Sequence, residues 1–447
     1  MQDLTQGSIT GHLLKTTGFM LVGMVLQTLY VLVDLFWVGR LGTEAVAAVA
    51  VGGNVTFIVL AASQALGVGT TSLIAQAVGR KDHADAQATF SQSQLLAVVC
   101  AVVFFVVTMA SRDVYVNGLA ANPTSAALAR DFLGWFLPAM ALQFGMVGMG
   151  SALRGTGRFK PGMYVHAGSV VLNMALAPVL VFGWGPFEPM GVVGTSVATF
   201  VSVVAGTIAM VWYFTAHDAY LRLSGFTVRP DLRRWAAILK IGVPAGLEFL
   251  LMTVYLLVVY AVSRPFGAAA QAGFGIGMRV LQSGFLPVVA LGMAVGPVAG
   301  QNFGARHFHR VKATFRDAAG LAVGGMLIFS VLAHVAPLAL LSPFTTDPEV
   351  LASGANYLRI ASYSFAGSGL IFVMSSLFQA VGNSIPPLMA SVARTTLLVA
   401  IVLTIARWPG FNLQWVWWLS VASVAMQVAI NLLFLRREFN TRLAVQG

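Results

Sequence analysis

The chain has 447 residues, 58% of them apolar and only 9% charged, with a mean hydropathy of +0.83. A soluble globular protein carries about a quarter charged residues, so this composition excludes that class and marks an integral membrane protein. The formal net charge of +11 raises the question of nucleic acid, which the placement of the basic residues answers below.

The opening MQDLTQGSITGHLLKTTG lacks the basic flank, short apolar core and small-residue cleavage site of a removable signal peptide, so the first apolar run is expected to remain. A span needs roughly 20 predominantly apolar residues. In chain order, twelve are predicted: 14–38, 47–78, 87–110, 126–150, 161–183, 190–214, 238–262, 270–300, 316–340, 351–378, 386–406 and 412–435. The alternating ten-residue segments of a membrane β-barrel are absent, and the fold is read as all-α. The lone Cys100 falls in the third span and has no internal partner for a disulfide. With the N-terminus inside, the inner loops and tails hold 18 lysines and arginines and the outer loops six. By the positive-inside rule both termini are cytoplasmic. The basic charge is thus topological, and no nucleic-acid partner is expected.

The chain matches itself at an offset of 225. ALGVGTTSLIAQAVG (65–79) returns as ALGMAVGPVAGQNFG (290–304), Thr28 and Tyr30 return as Thr253 and Tyr255, and residues 14–90 show 20 identities in 77 ungapped positions. Gly157 and Pro161 likewise answer to Gly382 and Pro386. Each half carries six spans, an even number, so the halves share one orientation. Parallel repeats of this kind are a transporter architecture, with a central cavity and alternating access between lobes. The lobes are read as 1–214 and 238–447, with 215–237 as a cytoplasmic linker.

Asp34 breaks the repeat, since its equivalent is Val259. Met20, Met24, Gln27, Tyr30 and Asp34 are spaced 4, 3, 3 and 4 apart and form one helical stripe. A charged aspartate at the bilayer centre costs about 2.5–3.5 kcal/mol on insertion scales, so such an acid is a functional candidate by default, able to load and release a proton. The bland alternative is that Asp34, close to Arg40, is solvated at the outer interface. In the fifth span His166, Ser169 and Asn173 share a face, and Asn173 is placed to hydrogen-bond Asp34. In the sixth, Thr195, Thr199 and Ser202 form a hydroxyl stripe, although such hydroxyls often bond their own backbone. In the second half Glu248 shares a face with Met252 and Tyr255, and Arg394 lies eight residues into its span. A Glu248–Arg394 ion pair is a weaker expectation, against snorkelling of the arginine to the interface. No GxxxxGK[ST], HExxH, paired-cysteine or GxSxG signature occurs. An enzyme, a cofactor and a bound metal are therefore not expected, and an ion gradient is the expected energy source.

VDLFWVGRLG (33–42), AQAVGRKD (75–82) and GPVAGQNFGA (296–305) resemble the multidrug and toxic compound extrusion family, and the likeness runs over the whole chain. That resemblance implies a cation-coupled antiporter that expels organic cations and other drugs through a cavity between two lobes. It puts Asp34 on the first-span aspartate that binds the coupling ion, and Gln27, Asn173 and Thr199 on the same polar network. One departure matters: where many prokaryotic members carry a second aspartate in an NxxxD pattern, NMALA places Ala177. Sodium prefers a near-neutralising set of oxygen ligands, so a lone acid favours the proton over sodium.

The expected protein is a monomeric antiporter of a bacterial inner (plasma) membrane, exporting small amphipathic, cationic compounds in exchange for protons. Met20, Met24, Tyr30, Tyr255, Glu248, Arg394 and His166 are the candidate substrate contacts. The rivals are a flippase for a lipid-linked precursor on the same scaffold, a lipid-directed membrane enzyme and a passive channel.

Overall fold

The structure, a computed structural model, describes residues 2–119, 122–217, 220–223 and 229–442. Among these residues it is helical throughout, with no strand. The helices are α1 (Ile9–Gly39), α2 (Thr43–Gly79), α3 (His83–Leu119), α4 (Pro123–Gly155), α5 (Phe159–Phe182), α6 (Val192–Ala216), α7 (Leu232–Ser263), α8 (Ala268–Gly304), α9 (Phe308–Val335), a short α10 (Pro337–Leu341), α11 (Pro348–Ala361), α12 (Phe365–Ala380), α13 (Ile385–Ile405) and α14 (Leu413–Thr441). Among the described residues twelve spans are long and apolar enough to cross a membrane, and the chain is a multi-pass membrane protein.

The helices overrun several predicted span ends. Most marked is α3, which runs nine residues past 110 to Leu119; α9 begins eight residues before 316 but stops short at Val335, where Pro337 ends the run. Hydropathy locates the lipid-facing core of a helix, whereas backbone hydrogen bonding carries the helix on into water. The tenth predicted span is two helices, α11 and α12, joined by a 3-10 turn at Ser362–Ser364. Helix starts follow capping chemistry. Asn122 accepts from the Ser125 amide ahead of α4, and Asp347 accepts from the amides of Glu349 and Val350 ahead of α11, each with proline in the first turn.

The repeat is written into the backbone. Gly42 and Gly267, Gly157 and Gly382, and Gly185 and Gly410 all have positive φ, and each pair is 225 apart. So are Lys81 and Arg306, both at φ 60° and neither a glycine. After α2, the amides of Arg80, Lys81 and Asp82 close onto the carbonyls of Gln76, Val78 and Ala77. After α8, those of Ala305, Arg306 and His307 close onto Gln301, Phe303 and Asn302, the same positions one repeat later. These closures satisfy carbonyls orphaned at the helix ends.

Two compact units make up the chain. Among the described residues, one is Gly18–Val243 with Gln2 and Asp3; the other joins Leu4–Thr17 to the chain from Pro244 to Arg442. The division falls inside α1 and α7, not in the polar linker. Within the second unit, the Leu4 amide donates to Gln301 Oε1 at 2.9 Å, Asn302 Nδ2 to the Leu4 carbonyl at 3.2 Å, and Thr10 Oγ1 to Asp317 Oδ2 at 2.8 Å. Within the first unit, Gln92 Nε2 donates to the Arg229 carbonyl at 2.8 Å and its Oε1 accepts from the Asp231 amide at 2.9 Å, while Arg234 pairs with Asp85. Gly242 of α7 lies so close to α2 that a Cβ would strike the Ala65 carbonyl, and a Cβ on Gly69 would strike that of Ile238. Only glycine permits backbones to approach this closely.

Enclosure differs sharply between helices. The core of the first unit is built on α2 and α4 with Leu133, Leu137 and Phe144 essentially inaccessible. In the second unit Phe274 stacks on Trp417 with ring centroids 5.3 Å apart, and Tyr357 meets both rings edge-on. Val98, Val102, Val103, Val106 and Val107 of α3 are all more than half exposed, an apolar face of the kind that lipid covers. Helix α1 is barely enclosed: only Leu13, Thr16 and Val38 of its residues are buried.

Candidate functional site

A cavity of about 470 Å3 opens within the first unit, walled by α1, α2, α4, α5 and α6. Most of its surface is apolar, from residues such as Val31, Leu35, Phe57, Phe132 and Phe136. Against that lining stand Gln27, Tyr30 and Asp34 of α1, His166, Ser169 and Asn173 of α5, and Thr199 and Ser202 of α6. Helical periodicity brings each set to one face, so three short polar stripes converge on one space.

Thr199 is the hub. Its hydroxyl donates to the Thr195 carbonyl at 3.0 Å, accepts from Asn173 Nδ2 at 3.1 Å, and lies 3.4 Å from the Tyr30 hydroxyl. The backbone bond expected for such a threonine is therefore present, and the side chain serves the network as well. Asn173 does not bond Asp34 as its position suggested. Thr199 on the neighbouring helix takes its amide instead. Among the described residues Asp34 makes no hydrogen bond, and Asp34 Oδ1 and Asn173 Oδ1 are both buried without a partner. Buried polar atoms are nearly always satisfied, so two unpaired acceptors in one cavity mark a place that can receive a cation or a proton. Arg40 does not neutralise Asp34. Its guanidinium lies over the Phe36 ring at 4.6 Å and the Trp37 ring at 5.3 Å.

Ala177, where a second acid would stand, is 1% exposed and packs in an apolar cluster with Leu180, Ala198 and Trp37. Asp34 is the cavity wall's one carboxylate, and no group of three or more metal-ligating side chains occurs among the described residues. Met20 and Met24 continue the α1 stripe but are not part of the cavity wall; Met24 lies ten residues from Asp34, about 15 Å along the helix. The sequence reading missed Thr56 and Ser63 of α2 and Gln143 of α4, which complete the wall. The one available signal was Gln143, an isolated amide in an apolar span.

The remaining candidates belong to the second unit. Tyr255 Oη lies 3.1 Å from Ser420 Oγ. Arg394 does not pair with Glu248: its Nε donates to Ser423 Oγ and its Nη1 to Gln427 Oε1, both at 3.1 Å. Helix α14, packed against α13, offers these oxygens four residues apart and captures the guanidinium. Glu248 Oε1 is buried without a partner.

The family model MatE matches residues 20–179 and 244–405, one match in each half of the chain. Among curated proteins the chain is 31% identical over 384 residues to a probable multidrug resistance protein, YoeA, of Bacillus subtilis (strain 168), covering 83% of this chain and 81% of that one. It is 25% identical over 435 residues to the multidrug export protein MepA of Staphylococcus haemolyticus (strain JCSC1435), covering 95% and 93%. Among solved structures, a MATE crystal structure in the bent conformation superposes with a TM-score of 0.91 at 23% identity, covering 98% of this chain and 97% of the other. The chain belongs to the multidrug and toxic compound extrusion (MATE) family, and is therefore a membrane transporter and not an enzyme.

Proposed function

We propose that this protein is a secondary active multidrug efflux antiporter of a bacterial inner membrane. It exports amphipathic, cationic compounds in exchange for protons, working as a monomer with both termini in the cytoplasm. The observation that carries this reading is Asp34, a carboxylate with no hydrogen-bond partner among the described residues, set beside the Tyr30–Thr199–Asn173 network in an apolar cavity. An organic cation and a proton compete for that carboxylate. The proton neutralises it and releases the cation, and loss of the proton restores it. Each state favours a different set of contacts for α1, and a population shift between them drives the cycle. The sparse enclosure of α1 supports such a shift, because weakly packed segments move at low cost. Proton coupling is preferred to sodium because Ala177 and its apolar neighbours withhold the second carboxylate that a sodium site would use. Gln27 completes the coupling network, and Tyr30 and His166 face substrate in the same cavity.

The test is reconstitution of the purified protein into liposomes, with export of ethidium followed under an imposed proton gradient and, separately, a sodium gradient. The proton gradient drives uphill ethidium movement in wild type and not in Asp34→Asn, and the sodium gradient drives none. Uphill movement on sodium alone, or flux indifferent to either gradient, overturns the proposal.

A further inference from the structure

Arg394 is an unneutralised cation at the middle of a span. Helix α13 runs from Ile385 to Ile405, so Arg394 stands about 14 Å from one end and about 16 Å from the other at 1.5 Å per residue. That is too far for an arginine to reach either interface by snorkelling. A charge at this depth is costly and is normally paired, yet Arg394 has no ion pair among the described residues. Its two hydrogen bonds go to neutral oxygens, Ser423 Oγ and Gln427 Oε1. A guanidinium has five N–H donors, and those bonds hold two of them, which fixes the fork without discharging it. The holder is itself held: Gln427 Nε2 donates to Ser391 Oγ at 2.8 Å. The arginine is only partly covered, while Ser423 and Gln427 behind it are buried. One turn beyond Gln427, Asn431 is fully buried with both ends of its amide unpartnered among the described residues. In the first half the position equivalent to Arg394 is Ser169, so this charge, like Asp34, belongs to one half of the repeat only.

We infer that Arg394, oriented by Ser423 and Gln427, is an oxyanion-binding site of the second unit that takes the carboxylate or phosphate of an amphipathic ligand. A planar, pre-oriented fork with free N–H groups is the arrangement that recognises such groups in two-point fashion. The site deepens the export reading, on which it rests for the ligand being a transported compound: the substrates then include molecules that carry an oxyanion beside an apolar, cationic body. The same chemistry is offered by an acidic phospholipid headgroup, and the test separates the two sources.

The test is equilibrium binding by fluorescence polarisation in phosphatidylcholine nanodiscs with two dyes of one skeleton, rhodamine 110 with a free carboxylate and rhodamine 123 with that group methylated. Arg394→Gln weakens rhodamine 110 about tenfold or more, the scale of a charged hydrogen bond, and changes rhodamine 123 less than twofold; Arg394→Lys recovers part of the loss. In wild type, benzoate competes with rhodamine 110 and not with rhodamine 123, a readout that survives if the glutamine variant does not fold. Adding phosphatidylglycerol to the discs displaces rhodamine 110 in an Arg394-dependent way if the lipid phosphate is the natural occupant, and leaves it bound if the substrate is. Equal effects of Arg394→Gln on both dyes, or benzoate indifference in wild type, overturn the site. Failure of both dyes to bind wild type overturns the site and counts against the export reading as well.

Discussion

Asp34→Asn should remove the carboxylate's share of the pH dependence of cation binding while leaving the cavity's shape unchanged. The cavity wall holds one carboxylate, Asp34, and one imidazole, His166. If a monovalent organic cation binds the ionised carboxylate, binding releases at most one proton from Asp34, and linkage caps the change at tenfold in affinity per pH unit, or about 1.4 kcal/mol. The sign follows from charge. Protonation removes the negative site, so affinity falls as pH falls. In Asp34→Asn the amide is isosteric and permanently neutral, so the carboxylate's contribution to affinity is missing at every pH. Protonation of His166 adds positive charge and also lowers affinity in acid, so any residual slope in Asp34→Asn should vanish in the double variant with His166→Gln. Isothermal titration of ethidium in detergent from pH 5.5 to 8.5 measures these slopes. An Asp34→Asn slope equal to wild type, or a wild-type slope that persists unchanged in the double variant, refutes the assignment of the carboxylate as the titrating site.

Two further substitutions probe the network and the frame. Thr199→Val removes the hydroxyl that accepts from Asn173 and lies against Tyr30, stranding a buried amide donor at a cost of about 1–3 kcal/mol. The expected result is a lower midpoint of thermal unfolding and reduced proton-driven export, both recovered by Thr199→Ser; an unchanged midpoint shows that the bonds carry no weight. Gly242→Ala drives a Cβ into the Ala65 carbonyl, whereas Gly53→Ala meets nothing within 4 Å. The first should lower folded yield on size-exclusion chromatography severely and the second hardly at all, and similar yields from both contradict the close crossing of α2 and α7.

Asp34 was legible because the sequence repeats. Val259, its counterpart, is fully buried in the second unit, and the acid stood out as the departure from a matched position. The stripes of α1, α5 and α6 were legible from spacing alone, since helical periodicity fixes which residues share a face. The partners of those residues were not. Helix faces place Asn173 within reach of Asp34 and leave Glu248–Arg394 as the weaker pairing, but a hydrogen bond goes to the nearest well-aimed acceptor. In both cases that acceptor came from the next helix, Thr199 of α6 and Ser423 with Gln427 of α14. Thr56, Ser63 and Gln143 were overlooked because single polar residues in apolar helices show no stripe, and only tertiary packing turns them toward the cavity. Hydropathy likewise cannot show where α1 and α7 pass from one compact unit to the other, because that division is set by tertiary contacts and not by the composition of either helix.

The placement of those crossings has a consequence for dissecting the protein. Cutting the chain between Ala216 and Leu232 looks like the natural way to separate the halves. Yet the first unit runs through Val243, and the second includes Leu4–Thr17. Each fragment would carry away a helical segment that the other needs and would lack one of its own. Two such fragments made in the same cell therefore meet the requirements for mutual complementation, since each holds the missing strap of its counterpart. Either one made alone is an incomplete fold.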